Sequence, residues 1–329
     1  MRLLIAGGAG YVGSRLAPAL RERGYDVEVA DQLWFGNHLP PDIRVRQCEL
    51  FDLTEEDLRG FDQLIFLAGL SNDPMAEFSP ARNFVANGAL PAYLAFIAKR
   101  AGVKRLIYAS SCSVYGYTED QLYTEDDPVT CAYPYGISKL QGERAALQLQ
   151  DDDFSVIALR QGTVCGWSPR MRFDLIVNTM VKSALTTGTI TVNNPSIWRP
   201  LLDIRDDVAA FTRAVQANRK LSGVFNVASG NFTVGQVADL VKEELERETG
   251  QRVRLDIRNV QDFRNYKVSC ERAKVEIGFQ AQYSVKDMVA DVMAHRGEYG
   301  DMERDAYYNI RVFTKLGAAE RDAAAGRRD

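Results

Sequence analysis

A tyrosine and a lysine stand four positions apart, at Tyr135 and Lys139, in a stretch whose pattern predicts a helix over about 134–149. Residues i and i+4 share one face of a helix, so we expect the Lys139 ammonium to lie beside the Tyr135 phenol. A free phenol titrates at about pH 10, and a nearby positive charge favours its phenolate. Tyr135 could therefore remove the proton of a hydroxyl group while hydride leaves the same carbon.

Ser111 follows an apolar run that predicts a strand over about 104–109. A parallel sheet presents its ligand site at this end of its strands, so the Ser111 hydroxyl could hold the reacting oxygen. The alternative is an ordinary amphipathic helix that carries Tyr135 and Lys139 by chance. Two further motifs accompany the pair, and they favour the catalytic interpretation.

Glycines recur at three-residue intervals, at Gly7, Gly10 and Gly13, between a predicted strand at 2–6 and a predicted helix at 11–23. Such glycines permit a tight turn, a close approach of the backbone to a pyrophosphate, and close packing of helix on strand. The amino end of the helix then stabilises the phosphate charge. This turn predicts a dinucleotide site, with contacts from Gly7, Gly10, Tyr11, Val12 and Gly13.

Asp31 ends a second predicted strand, over 26–31. A carboxylate at this place can accept hydrogen bonds from both hydroxyls of an adenosine ribose, and it repels the 2′-phosphate of NADP. The alternative is an aspartate in a turn at the strand end. We interpret Asp31 as a cofactor residue and predict that the cofactor is NAD.

Short apolar strands alternate with helices through the first half of the chain. Further strands are predicted over 43–48, 62–68, 104–109 and 154–160, with a helix at about 81–101. This alternation predicts right-handed crossovers and a Rossmann-type, doubly wound parallel sheet in an α/β protein. We assign residues 1–165 to this NAD-binding domain, with contributions from later segments.

The alternation becomes less regular after about residue 165. Helices are predicted over 173–186, 206–218 and 233–249, and short strands near 190–193, 201–204 and 224–227. We assign residues 166–316 to a smaller, mixed substrate-binding lobe. The small and charged residues of 317–329 predict a flexible tail.

The composition excludes several classes of function. The 329 residues are 46% hydrophobic and 26% charged, with a formal net charge of −4, which is typical of a globular protein without the basic face of a nucleic-acid binder. No apolar stretch has the length of a membrane span, and the apolar start at 1–6 is too short for a signal peptide. The five cysteines include no CxxC pair, which predicts reduced thiols and a cytoplasmic protein. Two histidines are too few for a His-rich metal site, so no metal is predicted.

Three ordered motifs resemble one known family. They are the Gly-x-x-Gly-x-x-Gly turn from Gly7, the Ser-Ser-Cys-Ser-Val-Tyr-Gly segment at 110–116, and Tyr135-Gly-Ile-Ser-Lys139. Together they resemble an extended short-chain dehydrogenase/reductase, and more narrowly its nucleotide-sugar epimerase/dehydratase branch, over roughly residues 2–310. The resemblance implies that Ser111, Tyr135 and Lys139 are catalytic, that NAD is the cofactor, and that the substrate is a nucleotide-diphosphate sugar.

The resemblance also implies further cofactor contacts. Glu49 stands where the family usually has an aspartate that touches the adenine amino group, and Leu50 lies beside it. Leu67, Ala68 and Gly69 resemble the small-residue stretch beside the cofactor. Asn87 matches an asparagine that commonly buttresses the site, and Tyr135 and Lys139 are also expected to touch the cofactor.

Substrate contacts are implied by a second group of residues. Arg199, in the segment 198–206, and Arg264 resemble arginines that pair with the substrate diphosphate, where a planar guanidinium suits phosphate oxygens. Asn178 is a plausible replacement for an asparagine of many epimerases whose place here is taken by Thr163. Ser111 and Ser113 complete the predicted substrate contacts.

Two departures from the family bear on the reaction. The family's 4,6-dehydratases carry Asp-Glu directly after the catalytic residue, whereas this chain has Cys112 and Ser113, which disfavours dehydration. The 3,5-epimerase/reductases pair a cysteine with a histidine, and Cys165 has no histidine in a suggestive context. The sequence therefore favours oxidation at C4 of a nucleotide-linked sugar, by a C4 epimerase or a 4-dehydrogenase.

Two other functions remain as alternatives. A 4-ketoreductase would use the same residues in reverse, although it usually goes with NADPH, which Asp31 disfavours. A non-enzymatic dinucleotide sensor often lacks the tyrosine or the lysine, and both are present here. The helices at about 81–101 and 134–149 resemble those that form a dimer interface in this family, so we predict a homodimer.

Overall fold

The computed structural model describes residues 1–260 and 264–325 of the chain. Its strands are β1 (Arg2–Ala6), β2 (Asp26–Asp31), β3 (Arg44–Gln47), β4 (Gln63–Phe66), β5 (Arg105–Ser111), β6 (Tyr117–Tyr123), β7 (Ser155–Gln161), β8 (Thr163–Cys165), β9 (Thr189–Asn193), β10 (Trp198–Asp203), β11 (Gly223–Val227), β12 (Gly230–Thr233), β13 (Arg254–Arg258) and β14 (Asn265–Val268). Its α-helices are α1 (Gly13–Glu22), α2 (Glu55–Leu58), α3 (Asp73–Phe78), α4 (Pro80–Phe84), α5 (Leu90–Ala101), α6 (Pro134–Leu147), α7 (Ile176–Thr187), α8 (Ile204–Gln216), α9 (Val234–Thr249), α10 (Glu271–Glu276), α11 (Val285–Ala294) and α12 (Asn309–Ala325). Among the helices in these ranges, none combines the length and the apolar character of a membrane span.

Seven of the described strands form one parallel sheet, in the order β11-β7-β5-β4-β1-β2-β3. The strand order reverses at β1, because the chain runs outward to β3 on one side and then returns to β4 on the other. Loops that follow strands on the two sides of such a reversal diverge, and a crevice opens at the carboxyl ends of the strands. The predicted Rossmann-type, doubly wound α/β fold is confirmed.

Strand β1 is buried on both faces, which explains its continuous apolar run. Side chains alternate across a strand, so Leu3 packs on one face of the sheet with Leu16 of α1 and Phe211 of α8. Leu4 packs on the opposite face with Leu94 of α5. The helices on the two faces thus fix the position of the loop that follows β1.

Later segments of the chain complete the main sheet with its helices, and they also form a mixed lobe beyond it. Strand β11 adds an edge strand beside β7, and α8 packs on α1. Beyond the main sheet, β12-β10-β8, β13-β9 and β14-β6 form smaller sheets. Helices α7, α9 and α11 pack together through an apolar cluster that includes Val181, Val241 and Val289. This mixed lobe covers the carboxyl edge of the main sheet.

The helix predicted over 81–101 is divided into three parts. Helix α4 is followed by a π-helical segment, Val85–Ala89, and then by α5. Pro91 has no N–H to donate to the carbonyl of Asn87 four residues earlier, and this carbonyl accepts a hydrogen bond from the Tyr108 phenol at 3.1 Å. The sequence pattern showed the helical period but not this change of pitch.

The predicted tail at 317–329 is corrected in part. Helix α12 continues to Ala325, so the first nine residues of that segment are helical rather than a tail. Phe313, one turn before the segment, is buried against Leu70 and Met75 and holds the helix on the protein. Residues 326–329 lie outside the described part of the chain.

Asp207 of α8 makes the stability of the fold depend on pH. Its carboxylate is fully buried and accepts hydrogen bonds from the Gln161 amide at 2.8 Å. Burial raises the pKa of Asp207 to about 7, with a further increase from Asp206 and an opposing effect of Gln161. The folded protein therefore keeps a proton that the unfolded chain releases at about pH 4, so stability falls as pH rises toward 7.

We expect Asp207→Asn to remove most of this dependence. The variant should gain up to about 4 kcal/mol relative to the parent protein between pH 4 and pH 8, because it has no proton to lose. Urea unfolding at several pH values measures the change. Asp152→Asn, which removes an exposed carboxylate, is the control. Equal slopes of stability against pH for all three proteins would contradict the assignment.

Candidate active site

A cavity of about 380 Å³ lies between the carboxyl edge of the main sheet and the lobe. Its volume is within the range of small-molecule and cofactor sites. Most of the residues predicted to form the site line it, and they come from segments far apart in the chain. These are Gly7, Gly10, Tyr11, Val12, Gly13, Asp31, Leu50, Leu67, Ala68, Gly69, Ser111, Ser113, Tyr135, Lys139, Arg199 and Arg264.

The glycine turn after β1 has the backbone that its sequence requires. Gly7 has a φ of +80°, and a Cβ there would lie 2.4 Å from the backbone nitrogen of Ala68. At Gly13, where α1 begins, a Cβ would lie 2.2 Å from the Gly8 carbonyl oxygen. Both positions therefore exclude larger residues. At Gly10 an added Cβ would meet only the Gly7 carbonyl oxygen, at 3.5 Å.

These features fit the pyrophosphate of a dinucleotide. Gly10 leaves the backbone open to close approach from the cavity, and the first N–H groups of α1 follow directly at Gly13. The amino end of a helix favours negative charge through the helix dipole and through N–H groups that have no partner within the helix. The turn can therefore hold a pyrophosphate without any basic side chain of its own.

Asp31 stands at the carboxyl end of β2 and lines the same cavity. Its Oδ2 accepts a hydrogen bond from the Ala9 N–H at 3.0 Å, and its Oδ1 accepts one from the Leu33 N–H at 2.8 Å. Burial raises the pKa of Asp31, and these backbone donors and Arg170 oppose the rise. The carboxylate is thus fixed in place beside the glycine turn, where it suits the hydroxyls of a ribose.

The three predicted catalytic residues face the same cavity. Ser111 ends β5, and its Oγ lies 3.1 Å from the Ser113 Oγ and accepts a hydrogen bond from the Ser113 N–H. Tyr135 and Lys139 lie on the first turns of α6. Burial raises the pKa of the Tyr135 phenol, and Asp73 raises it further, whereas Ser111 and Arg172 lower it.

Lys139 is 5% exposed and donates from Nζ to the Ala109 carbonyl at 2.8 Å. Burial lowers the pKa of Lys139 to about 8. An ammonium has three N–H donors, so the bond to Ala109 leaves two for other groups. The bond places the amino group at the end of β5, two residues before Ser111.

A buried ion pair fixes α6 against the sheet. Glu143 of α6 accepts hydrogen bonds from Nε and Nη2 of Arg160, on β7, at 3.0 and 2.6 Å. The Ser110 hydroxyl, on β5, donates to the same carboxylate at 2.6 Å. The Tyr115 phenol accepts from Arg160 Nη1 at 2.8 Å. This network could not be predicted from the sequence, because its four members lie on four separate elements.

The two predicted diphosphate arginines meet at the lobe side of the cavity. Arg199 donates from Nη1 to the Trp198 carbonyl at 2.9 Å and also to the Arg264 carbonyl. Arg264 forms an ion pair with Asp73. Both residues line the cavity, which brings two positive charges close to an anionic ligand bound there.

Two predicted cofactor residues lie outside the lining of the cavity. The Glu49 carboxylate accepts from the Leu50 N–H at 3.0 Å and from the Gln32 amide at 2.6 Å, and these bonds direct it to the local backbone. The Asn87 amide is fully buried and exchanges hydrogen bonds with the backbone of Leu70. Its Nδ2 also donates to the Ser138 hydroxyl on α6. Asn87 therefore supports the loop after β4 instead of touching the cavity.

Asn178 is a third predicted residue that lies outside the lining of the cavity. Its amide is fully buried on α7, and Oδ1 accepts from the Gly166 N–H at 3.0 Å. Its Nδ2 lies within hydrogen-bond distance of the Tyr11 phenol oxygen and of the carbonyls of Gly166 and Arg172. The contact of Asn178 with the substrate stays a prediction, and in this structure its side-chain polar atoms bind Tyr11, Gly166 and Arg172.

Several lining residues were missed. Arg172 is bound to Asp174 through two hydrogen bonds, at 2.8 and 3.1 Å, and to the Ser71 hydroxyl at 3.0 Å. Arg170 donates to the Asn309 side chain and stacks on the ring of Phe35, its guanidinium carbon 3.6 Å from the ring centroid. Arg170 and Arg172 alternate with other residues in the segment 168–173, and this pattern indicates a polar lining. No periodicity in the sequence indicated toward which part of the fold the two side chains point.

The structure also places the two cysteines that were weighed as acid–base groups. Cys112 is buried, its thiol donates to the Arg160 carbonyl, and burial raises its pKa well above the ordinary value. Burial raises the pKa of the Cys165 thiol to about 12. Neither thiol lines the cavity, so neither is placed for catalysis.

Comparison with known proteins is consistent with this geometry. The model of the NAD dependent epimerase/dehydratase family matches residues 3–228. Among curated proteins, UDP-glucose 4-epimerase of Corynebacterium glutamicum is 27% identical, covering 93% of this chain and 99% of that protein. UDP-arabinose 4-epimerase 1 of Arabidopsis thaliana is 25% identical, covering 91% of this chain and 81% of that protein.

Solved structures extend the similarity to the whole architecture. MoeE5, solved in complex with UDP-glucuronic acid and NAD, is similar with a TM-score of 0.81 and 26% identity. The alignment covers 91% of this chain and 100% of MoeE5, which has also been solved with UDP-glucose and NAD.

The Glu143–Arg160 pair yields a prediction about stability. Glu143→Gln should lower the free energy of unfolding by about 3–5 kcal/mol, because it leaves the Arg160 charge buried without its carboxylate. Urea unfolding measures the loss. The double variant Glu143→Gln/Arg160→Met, which removes both charges, should recover part of it. A loss below about 1 kcal/mol in the single variant would show that the pair does not hold α6.

Proposed function

Because the chain belongs to the NAD dependent epimerase/dehydratase family, we propose that it is a 4-epimerase that oxidises the C4 hydroxyl of a UDP-linked sugar. One observation carries the proposal: Ser111, Tyr135 and Lys139 line the same cavity as the glycine turn and Asp31. A hydroxyl can therefore meet a general base and a dinucleotide in one enclosed space.

Tyr135 removes the proton of the 4-hydroxyl, and Ser111 orients the reacting oxygen. The Ser111 hydroxyl lowers the pKa of the Tyr135 phenol through a hydrogen bond. This proximity supports the proposal that both groups contact the same substrate oxygen. Bound NAD supplies the hydride acceptor and a positive ring that further favours the phenolate. Lys139, fixed by the Ala109 carbonyl, contributes its positive charge at the base of the site.

The substrate diphosphate is assigned to Arg199 and Arg264. A planar guanidinium offers paired donors that match phosphate oxygens. Both arginines line the cavity on the lobe side, whereas the glycine turn lies at the sheet side. The two ends of the cavity thus suit two diphosphates, one of the cofactor and one of the substrate, with the sugar between them at Tyr135.

The relatives support an epimerase as the net reaction and UDP as the nucleotide. UDP-glucose 4-epimerase and UDP-arabinose 4-epimerase 1 match over most of this chain, and MoeE5 has been solved with UDP-linked sugars. An epimerase returns hydride to the opposite face of a 4-keto sugar, so it shows no net change in NADH. A 4-dehydrogenase releases the ketone and accumulates NADH.

The first experiment incubates the protein and NAD with UDP-glucose, UDP-galactose and UDP-glucuronic acid, and with GDP-, CDP- and dTDP-glucose. NMR identifies the product, and absorbance at 340 nm follows NADH. An inverted C4 centre without net NADH supports the proposal. A keto product with rising absorbance would assign a 4-dehydrogenase, and turnover only of a 4-keto sugar with NADPH would assign a reductase.

Tyr135→Phe should retain NAD and lose turnover by about 10²–10⁴-fold, because it removes only the hydroxyl that accepts the proton. Tyr25→Phe, which changes a tyrosine whose hydroxyl lies beside Gln216 outside the cavity lining, is the matched control and should keep full activity. A sensor that does not catalyse would keep its function in both variants. Equal turnover of the two variants would therefore refute the role of Tyr135.

We also propose a cytoplasmic homodimer that associates through α5 and α6. The five cysteines are free thiols, which supports a reducing compartment. Phe96 of α5 is 47% exposed although it is large and apolar, and α5 packs on α6 along the same side of the sheet. Exposed apolar side chains on such a face favour association with a second copy.

Phe96→Glu should convert the dimer into a monomer at micromolar concentration, because it places a charge in the apolar contact. Light scattering after size exclusion gives the mass directly. Val275→Glu is the control, since Val275 of α10 is 74% exposed on another element. A monomeric mass for the parent protein would rule out the dimer.

A further inference from the structure

A buried carboxylate that the proposed mechanism does not use lies in the cavity. Asp73 is the first residue of α3, lines the cavity, and is 8% exposed. It follows Leu70, Ser71 and Asn72, in the loop after β4 that also contributes to the lining. A carboxylate is rarely buried to this degree unless both of its oxygens have partners.

The two oxygens of Asp73 differ in their surroundings. Oδ2 accepts a hydrogen bond from Nη1 of Arg264 in the ion pair on the lobe side. Oδ1 is buried and has no hydrogen-bond partner among the described residues. A buried acceptor that lacks a donor is unfavourable, so a ligand that supplies the donor gains binding energy.

Helix α3, whose first residue is Asp73, packs on α6, the helix that carries Tyr135. The charge of Asp73 raises the pKa of Tyr135 and also that of Tyr266. Tyr266 in turn has its hydroxyl 3.3 Å from the Ser113 Oγ. A sugar whose 4-hydroxyl meets Tyr135 therefore presents the neighbouring substituents, on C3 or C6, toward the Asp73 carboxylate.

A second carboxylate in the cavity provides a contrast. Both oxygens of Asp174 accept hydrogen bonds from Arg172, and Oδ2 also accepts from the Asn309 N–H at 3.2 Å. In Arg172, Nε, Nη1 and Nη2 each donate to a protein oxygen. This pair is satisfied within the protein, whereas Asp73 retains one acceptor for a ligand.

We propose that Asp73 determines which sugar is accepted: Oδ1 accepts a hydrogen bond from the 6-hydroxyl, and its negative charge disfavours the carboxylate that takes this place in a uronic acid. The protein then selects neutral UDP-hexoses over UDP-uronic acids. This inference rests on the proposed function, and it concerns the sugar rather than the nucleotide. Discrimination of this kind combines an attractive contact with a repulsive one.

The test measures binding in the NAD-loaded Tyr135→Phe background, where turnover does not interfere. Calorimetry gives dissociation constants for UDP, UDP-glucose and UDP-glucuronic acid. UDP-glucose should bind at least about tenfold more tightly than UDP-glucuronic acid. Adding Asp73→Asn should reduce this ratio by about tenfold or more and leave the affinity for UDP within about twofold.

Two further arms separate recognition of the sugar from positioning of Arg264. Arg264→Gln should weaken UDP and both UDP-sugars alike, because it removes a diphosphate contact. UDP-xylose lacks C6, so Asp73→Asn should leave its affinity unchanged, and a loss of affinity for UDP-xylose would overturn the inference. Asp126→Asn, which breaks an exposed ion pair with Arg272, controls for the loss of a carboxylate.

The outcomes distinguish this inference from the proposed function. If Asp73→Asn weakens UDP and both UDP-sugars equally, Asp73 only positions Arg264 and the inference is wrong, while the proposed function stands. If UDP itself does not bind, the proposed substrate class fails. Asp73→Ser, which suits the start of a helix, is the second variant if Asp73→Asn unfolds, and it should reduce the ratio in the same way.

Discussion

The buried pair of Glu143 and Arg160 is the interaction on which the geometry of the site depends. Two opposite charges in a dry interior are tolerated only when their remaining hydrogen-bonding atoms have partners, and Ser110 and Tyr115 supply them. Three elements thereby become fixed to one another: α6, which carries Tyr135 and Lys139, and the strands β5 and β7. Because Ser110 directly precedes Ser111, the same network sets the distance between the helix that carries Tyr135 and the strand that carries Ser111.

A second set of contacts joins the glycine turn to the lobe. The Tyr11 phenol donates to the Gly166 carbonyl at 2.6 Å, and the Ser168 hydroxyl donates to the Tyr11 carbonyl at 2.7 Å. The amide of Asn178 completes this contact from α7. The turn that would hold the cofactor is therefore attached to the lobe that would hold the substrate, and the two binding regions share one rigid boundary.

The sequence predicted those parts of the fold and the site that depend on local pattern. The apolar run of β1, the glycine spacing from Gly7, and the four-residue interval between Tyr135 and Lys139 are each set within one or two elements. The direction of the Asn178 amide could not be predicted in this way, because it depends on Tyr11, more than 160 residues away in the chain. The local pattern also gave no indication of Asp73, because the position of a single carboxylate relative to Tyr135 is decided by tertiary packing.

The charges that line the cavity explain why its regions suit different parts of a ligand. Five cations face three carboxylates there: Lys139, Arg170, Arg172, Arg199 and Arg264 against Asp31, Asp73 and Asp174. Burial and the proximity of Arg172 lower the pKa of Arg170 to about 9, so the guanidinium stays charged at neutral pH and a bound anion stabilises it further. Near the phenol of Tyr135 the negative charges have the larger effect. Burial raises the pKa of this phenol, and Asp73 raises it more than Arg172 lowers it. An anionic diphosphate is thus favoured toward the arginines and a neutral sugar ring at the base, which is the charge distribution of a nucleotide-linked hexose.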